Sequence, residues 1–229
     1  MFYYFGAKHR TAHKYQPPSH DLIVEPFAGS AAYACYWMAK GAATSALLIE
    51  KDERIVELWN RILSSTPDDI RAWPTPDVGE RTPDLMITLH GGSAALRSTA
   101  VDHVMTTRMY INYPPMLRRM ASWRAAFGDR ITVIHGDYRE APNIEATWFI
   151  DPPYQHQGHQ YGQGSDAIDY GELGEWSKSR QGQTIVCEAS PADWLPFRPF
   201  YSQQSTADTY NVELIWESHP NPTLFDLLR

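Results

Sequence analysis

Short apolar runs alternate with amphipathic segments along the first part of the chain. DLIVE (21–25) and TSALLIE (44–50) predict buried strands, and each is followed by a segment of helical character. The first helix, AAYACYWMAK, is predicted to stop at Gly41, and Asp52 is placed to cap the second. Apolar residues of the second helix recur at helical spacing: Ile55, Leu58, Trp59 and Ile62. This order predicts a parallel sheet with helices on its faces.

The middle of the chain interrupts this alternation. Residues 64–115 are rich in proline and show no clear strand of the earlier kind, and a helix is predicted over PMLRRMASWRAAFG. The apolar face of that helix forms a stripe of four residues, Met116, Met120, Trp123 and Phe127. The alternation resumes with ITVIHGDY, ATWFIDPPY, a helix over about 168–180 and QTIVCEAS, and TADTYNVELIWES alternates like an antiparallel edge strand. We therefore expect one α/β, doubly wound domain over 1–63 and 129–229, with a small insertion over 64–128.

Composition and cysteine content narrow the class of protein. The chain has 229 residues, 43% of them hydrophobic, and no apolar run approaches the roughly 20 residues of a membrane span. Its first residues lack the apolar core of a signal peptide, so a cytoplasmic location is expected. Cys35 and Cys187 both lie in apolar elements, which suits a reducing compartment and excludes a cysteine-built zinc site. No metal site is predicted.

The distribution of charge is compatible with a nucleic-acid partner, although the net charge is −7. Residues 1–20 carry Lys8, Arg10 and Lys14 without an acid, and residues 97–136 carry six arginines against two aspartates. A basic face on an acidic body can bind phosphates, since screening limits remote acids to about 8–10 Å. The candidate phosphate contacts are Arg10, Lys14, Arg108, Arg118, Arg119 and Arg124, with surface solvation as an equal alternative.

Four predicted strands end in residues that can carry chemistry. These ends are Glu25–Ser30 (EPFAGS), Glu50–Asp52, Gly136–Tyr138 and Asp151–Tyr154 (DPPY). Ligands of open α/β sheets bind beyond the carboxyl ends of the strands, near the switch in strand order. Glu50 can accept hydrogen bonds from ribose hydroxyls, whereas the absence of G-x-G-x-x-G and of a Walker lysine motif disfavours NAD and ATP.

The Asp-Pro-Pro-Tyr segment suits a base that carries an exocyclic amine. Such an amine is a poor nucleophile unless two acceptors hold its hydrogens and aim its lone pair; the Asp151 carboxylate and the carbonyl of Pro152 can do this. Consecutive prolines, Pro152 and Pro153, fix the backbone that aims the carbonyl. Tyr154 offers a face on which an extruded base can stack. A plain strand-exit turn is the alternative interpretation.

Five segments of the chain together resemble the adenine-specific DNA methyltransferases of the Dam family, most closely the small phage and prophage forms. These segments are Tyr4–Lys8, Glu25–Ser30, Glu50–Asp52, Gly136–Tyr138 and Asp151–Tyr154. The resemblance covers most of residues 1–217. It implies a Rossmann-like methyltransferase sheet and a mainly helical target-recognition insertion. It also implies S-adenosylmethionine as methyl donor and double-stranded DNA as partner. The sequence departs from the family pattern at Ala7 and Ala31, where glycines are usual.

The same resemblance assigns residues to roles. It implies that Asp151, Pro152, Pro153 and Tyr154 form the catalytic loop. The implied donor-binding residues are Tyr4, Gly6, Lys8, Glu25, Phe27, Ala28, Gly29, Ser30, Glu50, Asp137 and Tyr138. Three alternatives stay open: methylation of adenine in ribosomal RNA, methylation of a cytosine amino group, and a non-catalytic DNA-binding protein that retains the fold. Residues 155–164, with His156 and His159, are a candidate lid.

Overall fold

The structure is a computed structural model that describes residues 2, 7–82, 103–104, 107–156, 165–204 and 210–218. Its strands are β1 (Leu22–Glu25), β2 (Ser45–Glu50), β3 (Arg81–Thr82), β4 (His103–Val104), β5 (Ile131–His135), β6 (Ala146–Ile150), β7 (Gly182–Ala189), β8 (Arg198–Gln204) and β9 (Tyr210–Glu217). Its α-helices are α1 (Ala32–Ala39), α2 (Glu53–Ser64), α3 (Pro67–Arg71), α4 (Thr107–Phe127) and α5 (Tyr170–Lys178). Short 3₁₀ helices cover Lys8–Arg10, Ala12–Lys14, Gly128–Arg130, Tyr138–Glu140 and Ser165–Ala167. None of the described helices is long and apolar enough to cross a membrane.

Within these residues, seven strands form one mixed sheet in the order β5-β2-β1-β6-β7-β9-β8. The pairs from β5 to β7 are parallel, and β9 runs antiparallel to both β7 and β8. The chain builds outward from β1 to β5 and then returns to place β6 beside β1, so the switch point lies between β1 and β6. The predicted Rossmann-like, doubly wound α/β sheet is confirmed.

Two apolar clusters cover the two faces of the sheet. One holds buried residues of α1, α2 and α4 and the other holds Leu173 of α5, so helices lie on both faces. Strand β6 serves both, since Phe149 belongs to the first cluster, whereas Trp148 and Ile150 belong to the second. The predicted stripe of α2 is fully buried, and the Asp52 side chain accepts a hydrogen bond from Arg54 N at 3.0 Å, as expected of the cap.

Helix α4 begins earlier than predicted, at Thr107, and includes Pro114 and Pro115. Proline removes a helical N–H and crowds the carbonyl four residues earlier. Those carbonyls belong to Tyr110 and Ile111, both exposed, so water can satisfy them. The predicted stripe is confirmed: Met116, Met120 and Trp123 are buried and Phe127 packs against the same cluster.

Helix α4 therefore joins the core of the sheet although it lies within the predicted insertion, 64–128. The other described parts of that range are α3 and the antiparallel ribbon of β3 and β4. Residues 83–102 and 105–106 lie outside the described part. The boundaries of the insertion stay a prediction.

The carboxyl-terminal strand was predicted as an antiparallel edge strand, and only its direction is confirmed. Strand β9 lies between β7 and β8, so the prediction of an edge is wrong. Strand β8 was missed because RPFYSQQ shows no apolar alternation. Pro199 suits an edge strand, and the pairing with β9 is irregular between Pro199 and Tyr201.

Candidate active site at the carboxyl ends of the strands

The Asp-Pro-Pro-Tyr loop leaves the end of β6 beside the switch point and is fastened to its neighbours. All five residues of β6 are buried, which fixes the strand that delivers Asp151. The hydroxyl of Tyr170, in the first turn of α5, donates to the carbonyl of Pro153 at 2.6 Å. The amide of Gln155 donates to Glu188 Oε2 at 3.2 Å. Among the described residues, the carbonyl of Pro152 has no hydrogen-bond partner.

Lys8 and the Asp-Pro-Pro-Tyr loop meet in a partly buried polar cluster. Lys8 Nζ lies 2.9 Å from Asp151 Oδ1 and 2.7 Å from the hydroxyl oxygen of Tyr154. It also lies 3.2 Å from Glu213 Oε1. Glu213 Oε1 accepts hydrogen bonds from the hydroxyls of Tyr154 at 2.5 Å and Tyr15 at 3.1 Å. The structure thus brings together a predicted donor-binding residue, Lys8, and two predicted catalytic residues.

Burial and the neighbouring charges shift the pKa values of Lys8 and Asp151 in opposite directions. Burial alone lowers the pKa of Lys8, but the carboxylates of Asp151 and Glu213 raise it well above its ordinary value, so the lysine stays charged. Burial raises the pKa of Asp151, and the charge of Lys8 opposes that rise. The side chain of Asp151 keeps 19% of its surface exposed, against 8% for Lys8. Part of the aspartate is therefore accessible to solvent.

Glu213 was not assigned a role from the sequence, although a signal was present. Side chains two residues apart in a strand share a face, so Glu213 lies on the same face as the fully buried Ile215. An acid at a core-facing position requires a cation or hydrogen-bond donors. Because β9 is antiparallel, Glu213 pairs with Ala189 at the carboxyl end of β7 and reaches the edge where Asp151 lies.

Glu188 and Tyr170 were also missed by sequence reasoning. Glu188 is fully buried at the end of β7, and its Oε2 accepts hydrogen bonds from Gln155 N and from Trp194 Nε1. Burial raises the pKa of Glu188 to about 7. These contacts fix the start of the segment that follows the catalytic loop.

The EPFAGS segment forms a tight turn between β1 and α1. Gly29 and Ala31 adopt left-handed conformations, with φ of 46° and 47°. Ala31 therefore adopts a left-handed conformation that favours glycine, at a position where the resembled family usually has a glycine. The carbonyl of Gly29 accepts a hydrogen bond from Trp59 Nε1 at 2.8 Å, and Ser30 Oγ lies 3.2 Å from His9 Nε2.

Glu50 supports this turn from the end of β2. Its Oε2 accepts a hydrogen bond from Gly29 N at 2.8 Å and its Oε1 from Asp52 N at 2.9 Å. Burial raises the pKa of this carboxyl. A carboxylate has about four acceptor positions, so two backbone bonds leave capacity for hydroxyl groups.

Glu25 lies under the same turn, with 3% of its surface exposed, and its Oε1 accepts a hydrogen bond from Ala34 N at 2.7 Å. This bond satisfies an amide in the first turn of α1. Burial raises the pKa of Glu25 to about 8, because few groups there stabilise its negative charge.

Protonation of Glu25 links stability to pH. A carboxyl whose pKa is raised on folding stabilises the protein at low pH, and this contribution is lost as the pH rises through the folded value. We expect Glu25→Gln to match the parent protein near pH 4, below the ordinary pKa of this carboxyl in the unfolded chain, and to exceed it near pH 9 by a few kcal/mol, on the order of the shift. Urea unfolding at both pH values measures this. Glu53→Gln, at an exposed helix position, is the control; equal pH slopes for all three proteins would contradict the assignment.

The Gly-Asp-Tyr segment ends β5 on the far side of β2. Partial burial alone would raise the pKa of Asp137, but hydrogen bonds from Arg139 and Lys51 lower it to about 2. The ring of Tyr138 stacks on Phe27 with centroids 5.3 Å apart and planes 28° apart. This contact joins the ends of β1 and β5 into one apolar wall of the cleft.

The remaining predicted residues divide between the surface and the undescribed part. Arg10, Lys14, Arg118 and Arg119 are exposed. Arg124 is bound within the fold instead, since its Nε donates to the carbonyl of Leu63 at 3.0 Å and its Nη1 to Asp129 at 2.9 Å. Tyr4, Gly6, the side chain of Arg108 and most of the candidate lid (157–164, with His159) lie outside the described residues.

Comparison with known proteins gives only distant structural similarity. No protein-family model and no curated protein matches the chain. The rRNA methyltransferase AviRa from Streptomyces viridochromogenes is 13% identical with a TM-score of 0.44, covering 91% of this chain and 81% of that one. M. capricolum TrmK, solved in complex with S-adenosyl-homocysteine, is 8% identical with a TM-score of 0.43 and coverages of 91% and 66%. A conserved hypothetical protein from Streptococcus pyogenes is 12% identical with a TM-score of 0.41 and coverages of 88% and 89%. Because these values are low, the function has to be inferred from the chain's own residues.

Proposed function

We propose that this protein transfers a methyl group from S-adenosylmethionine to the exocyclic amino group of adenine in double-stranded DNA. The observation that carries the proposal is the state of Asp151. Its carboxylate lies at the switch point, is partly accessible to solvent, and already accepts a hydrogen bond from a nitrogen, Lys8 Nζ, at 2.9 Å. Proteins of this sheet type bind their ligands at that place.

In the proposed reaction the loop holds the amine rather than activating it as a strong base. Asp151 accepts one amino hydrogen, and the carbonyl of Pro152 accepts the other. The bond from Tyr170 to Pro153 keeps the adjacent peptide in place, so the direction of the Pro152 carbonyl is set before the base enters. Positioning of this kind can supply several kcal/mol of a reaction barrier. The N–C bond would form as the bond between the methyl carbon and the donor sulfur breaks, with its electron pair left on the neutral sulfur. The methylated nitrogen is then acidic and releases its proton to Asp151 or to water.

The described residues fit the donor molecule. Glu50 has acceptor capacity for ribose hydroxyls, and the aromatic pair of Phe27 and Tyr138 offers an apolar wall for a planar ring. The left-handed Gly29 lets the backbone approach a ligand closely. When bound, S-adenosylmethionine would supply an electrophilic methyl group on a positively charged sulfur.

A DNA partner is supported by the placement of basic side chains. Arg10 and Lys14 are exposed on the 3₁₀ helices that carry Lys8, and Arg118 and Arg119 are exposed on α4. We assign phosphate contacts to these four residues and not to Arg124, whose polar atoms are bound within the fold. Extrusion of the base costs a few kcal/mol, which stacking and hydrogen bonds in the pocket offset.

The test combines donor binding with mapping of modified bases. Calorimetry with S-adenosylmethionine is expected to show binding at one site. Expression in a host that lacks DNA methylation, followed by long-read sequencing of its DNA, is expected to show methylated adenine. Methylated adenine in ribosomal RNA only would replace the DNA substrate by RNA, and methylated cytosine would replace the base. Absence of donor binding would leave a non-catalytic protein and refute the proposal.

A further inference from the structure

The ammonium of Lys8 is bound to the carboxylate that the proposed target amine needs. It occupies an acceptor of Asp151 at 2.9 Å and contacts the Tyr154 hydroxyl oxygen at 2.7 Å. The proposed reaction, on which this inference rests, needs an acceptor position of the same carboxylate for an adenine hydrogen. The amine and the ammonium of Lys8 therefore share Asp151 during turnover, which weakens the pairing of Lys8 with this acid.

We propose that Glu213 is a positioning residue that keeps the charge of Lys8 neutralised when Asp151 turns to the target amine. Its Oε1 is only 3.2 Å from Lys8 Nζ, so a small rotation of the lysine side chain exchanges one carboxylate for the other. No proton or covalent bond changes place in this exchange.

The setting of Glu213 suits this role. Its Oε1 accepts hydrogen bonds from Tyr154 at 2.5 Å and Tyr15 at 3.1 Å, and its side chain is 14% exposed. It is therefore held in place before the lysine moves. Without it, an exchange at Asp151 would leave a buried ammonium with no counter-ion, an arrangement that is strongly unfavourable in proteins.

Glu213 also holds the ring of the catalytic tyrosine. The Tyr154 hydroxyl donates to Glu213, while Lys8 Nζ lies 4.9 Å from the centre of the Tyr154 ring. The same carboxylate thus fixes the two side chains, Lys8 and Tyr154, that border Asp151. Replacing its charge should disturb the reacting arrangement without touching the donor-binding turn.

Other titratable groups lie around the ammonium of Lys8 and contribute to any pH dependence measured at this cluster. They come from each strand packed against the cluster and from the loop before β1: Asp151 and Tyr154 after β6, Cys187 of β7, Tyr201 of β8, Glu213 of β9, and Tyr15. Only Asp151 and Glu213 among these are carboxylates. The two acids therefore share the single charge of Lys8 within the described cluster.

The experiment compares Glu213→Gln with Glu217→Gln. Glutamine keeps the shape and an acceptor oxygen for the tyrosine hydroxyls but removes the charge. Glu217 is a matched control on the same strand, buried and paired with Arg198 outside the cluster. We expect Glu213→Gln to lower kcat about 10- to 100-fold at saturating donor and DNA, while donor affinity stays unchanged. Glu217→Gln is expected to retain the parent rate, and Glu213→Asp to recover part of the loss.

Two further readouts separate positioning from a structural role. Glu213 raises the pKa of Asp151, so its neutralisation should move the acid limb of the kcat profile to lower pH. NMR of lysine-labelled protein should show the Lys8 ammonium titrating at lower pH in Glu213→Gln than in Glu217→Gln. A Glu213→Gln variant with the rate and pH profile of Glu217→Gln would overturn the inference. If the parent protein transfers no methyl group, the proposed function fails, and an unchanged Lys8 titration would separately reject the shared charge.

Discussion

Replacing Asp151 by alanine is expected to lower the rate of methyl transfer by at least ~10³-fold, because the amine loses the acceptor that aims its lone pair. Binding of S-adenosylmethionine should persist, since the turn at Gly29 and Glu50 is untouched. The fold should also persist. Lys8 keeps Glu213 at 3.2 Å as a counter-ion, so the substitution leaves no unpaired buried charge.

Single-turnover kinetics on unmethylated DNA measures this rate, and calorimetry measures donor affinity. Asp129→Ala removes an exposed carboxylate at the end of α4 and serves as the control, with the parent rate expected. An Asp151→Ala protein that binds donor and methylates adenine within tenfold of the parent rate would remove Asp151 from its assigned role. If Asp151→Ala lost both donor binding and its fold, the same measurements would be made on Asp151→Asn, which keeps the side-chain volume.

The strand ends could be predicted from the sequence because they are local signals. Each combines a short apolar run with an acid at or next to the place where the run stops, and three of the four are also broken by glycine or proline. Glu25, Glu50 and Asp151 all lie where this pattern placed them, at one edge of the sheet. The parallel order then follows from the alternation of strands and helices.

The partners of these acids could not be predicted, because they are distant in the sequence. Lys8 and Asp151 are 143 residues apart, and Tyr154 and Glu213 are 59 apart. No periodicity within a window of one element contains such a pairing. The sequence showed an acid at a core-facing position of β9, but not which cation it would meet.

Glu25 and Glu50 also stabilise the backbone around them, which a resemblance to a family does not reveal. Glu50 binds the amides of Gly29 and Asp52, and Glu25 binds the amide of Ala34. A carboxylate at a strand end can thus serve the backbone and a ligand together. Burial raises the pKa values of both carboxyls, and the hydrogen bonds from these amides only partly offset the rise.

Replacing Lys8 by methionine is expected to lower the free energy of unfolding by about 3–5 kcal/mol near pH 8, because removing one partner leaves buried charge unpaired. Asp151 and Glu213 would then share a cluster without their cation. Without the charge of Lys8, which opposes the effect of burial, the pKa of Asp151 would rise further above its ordinary value. A group of this kind stabilises the fold at low pH and loses that contribution as the pH rises, so the loss should shrink near pH 5.

Urea unfolding of Lys8→Met at both pH values tests the cluster independently of any enzymatic activity. Lys51→Met is the matched control, because Lys51 also pairs with a strand-end aspartate, Asp137, but its side chain is 49% exposed. Exposed pairs contribute up to about 1 kcal/mol, so this variant should lose little at either pH. If Lys8→Met lost no more unfolding free energy than Lys51→Met, or lost the same amount at both pH values, the lysine would not be neutralising two partly buried acids. The contact of Lys8 with Asp151 would then be one of packing only. Glu213 would have no lysine charge to neutralise, and the role proposed for it would fail.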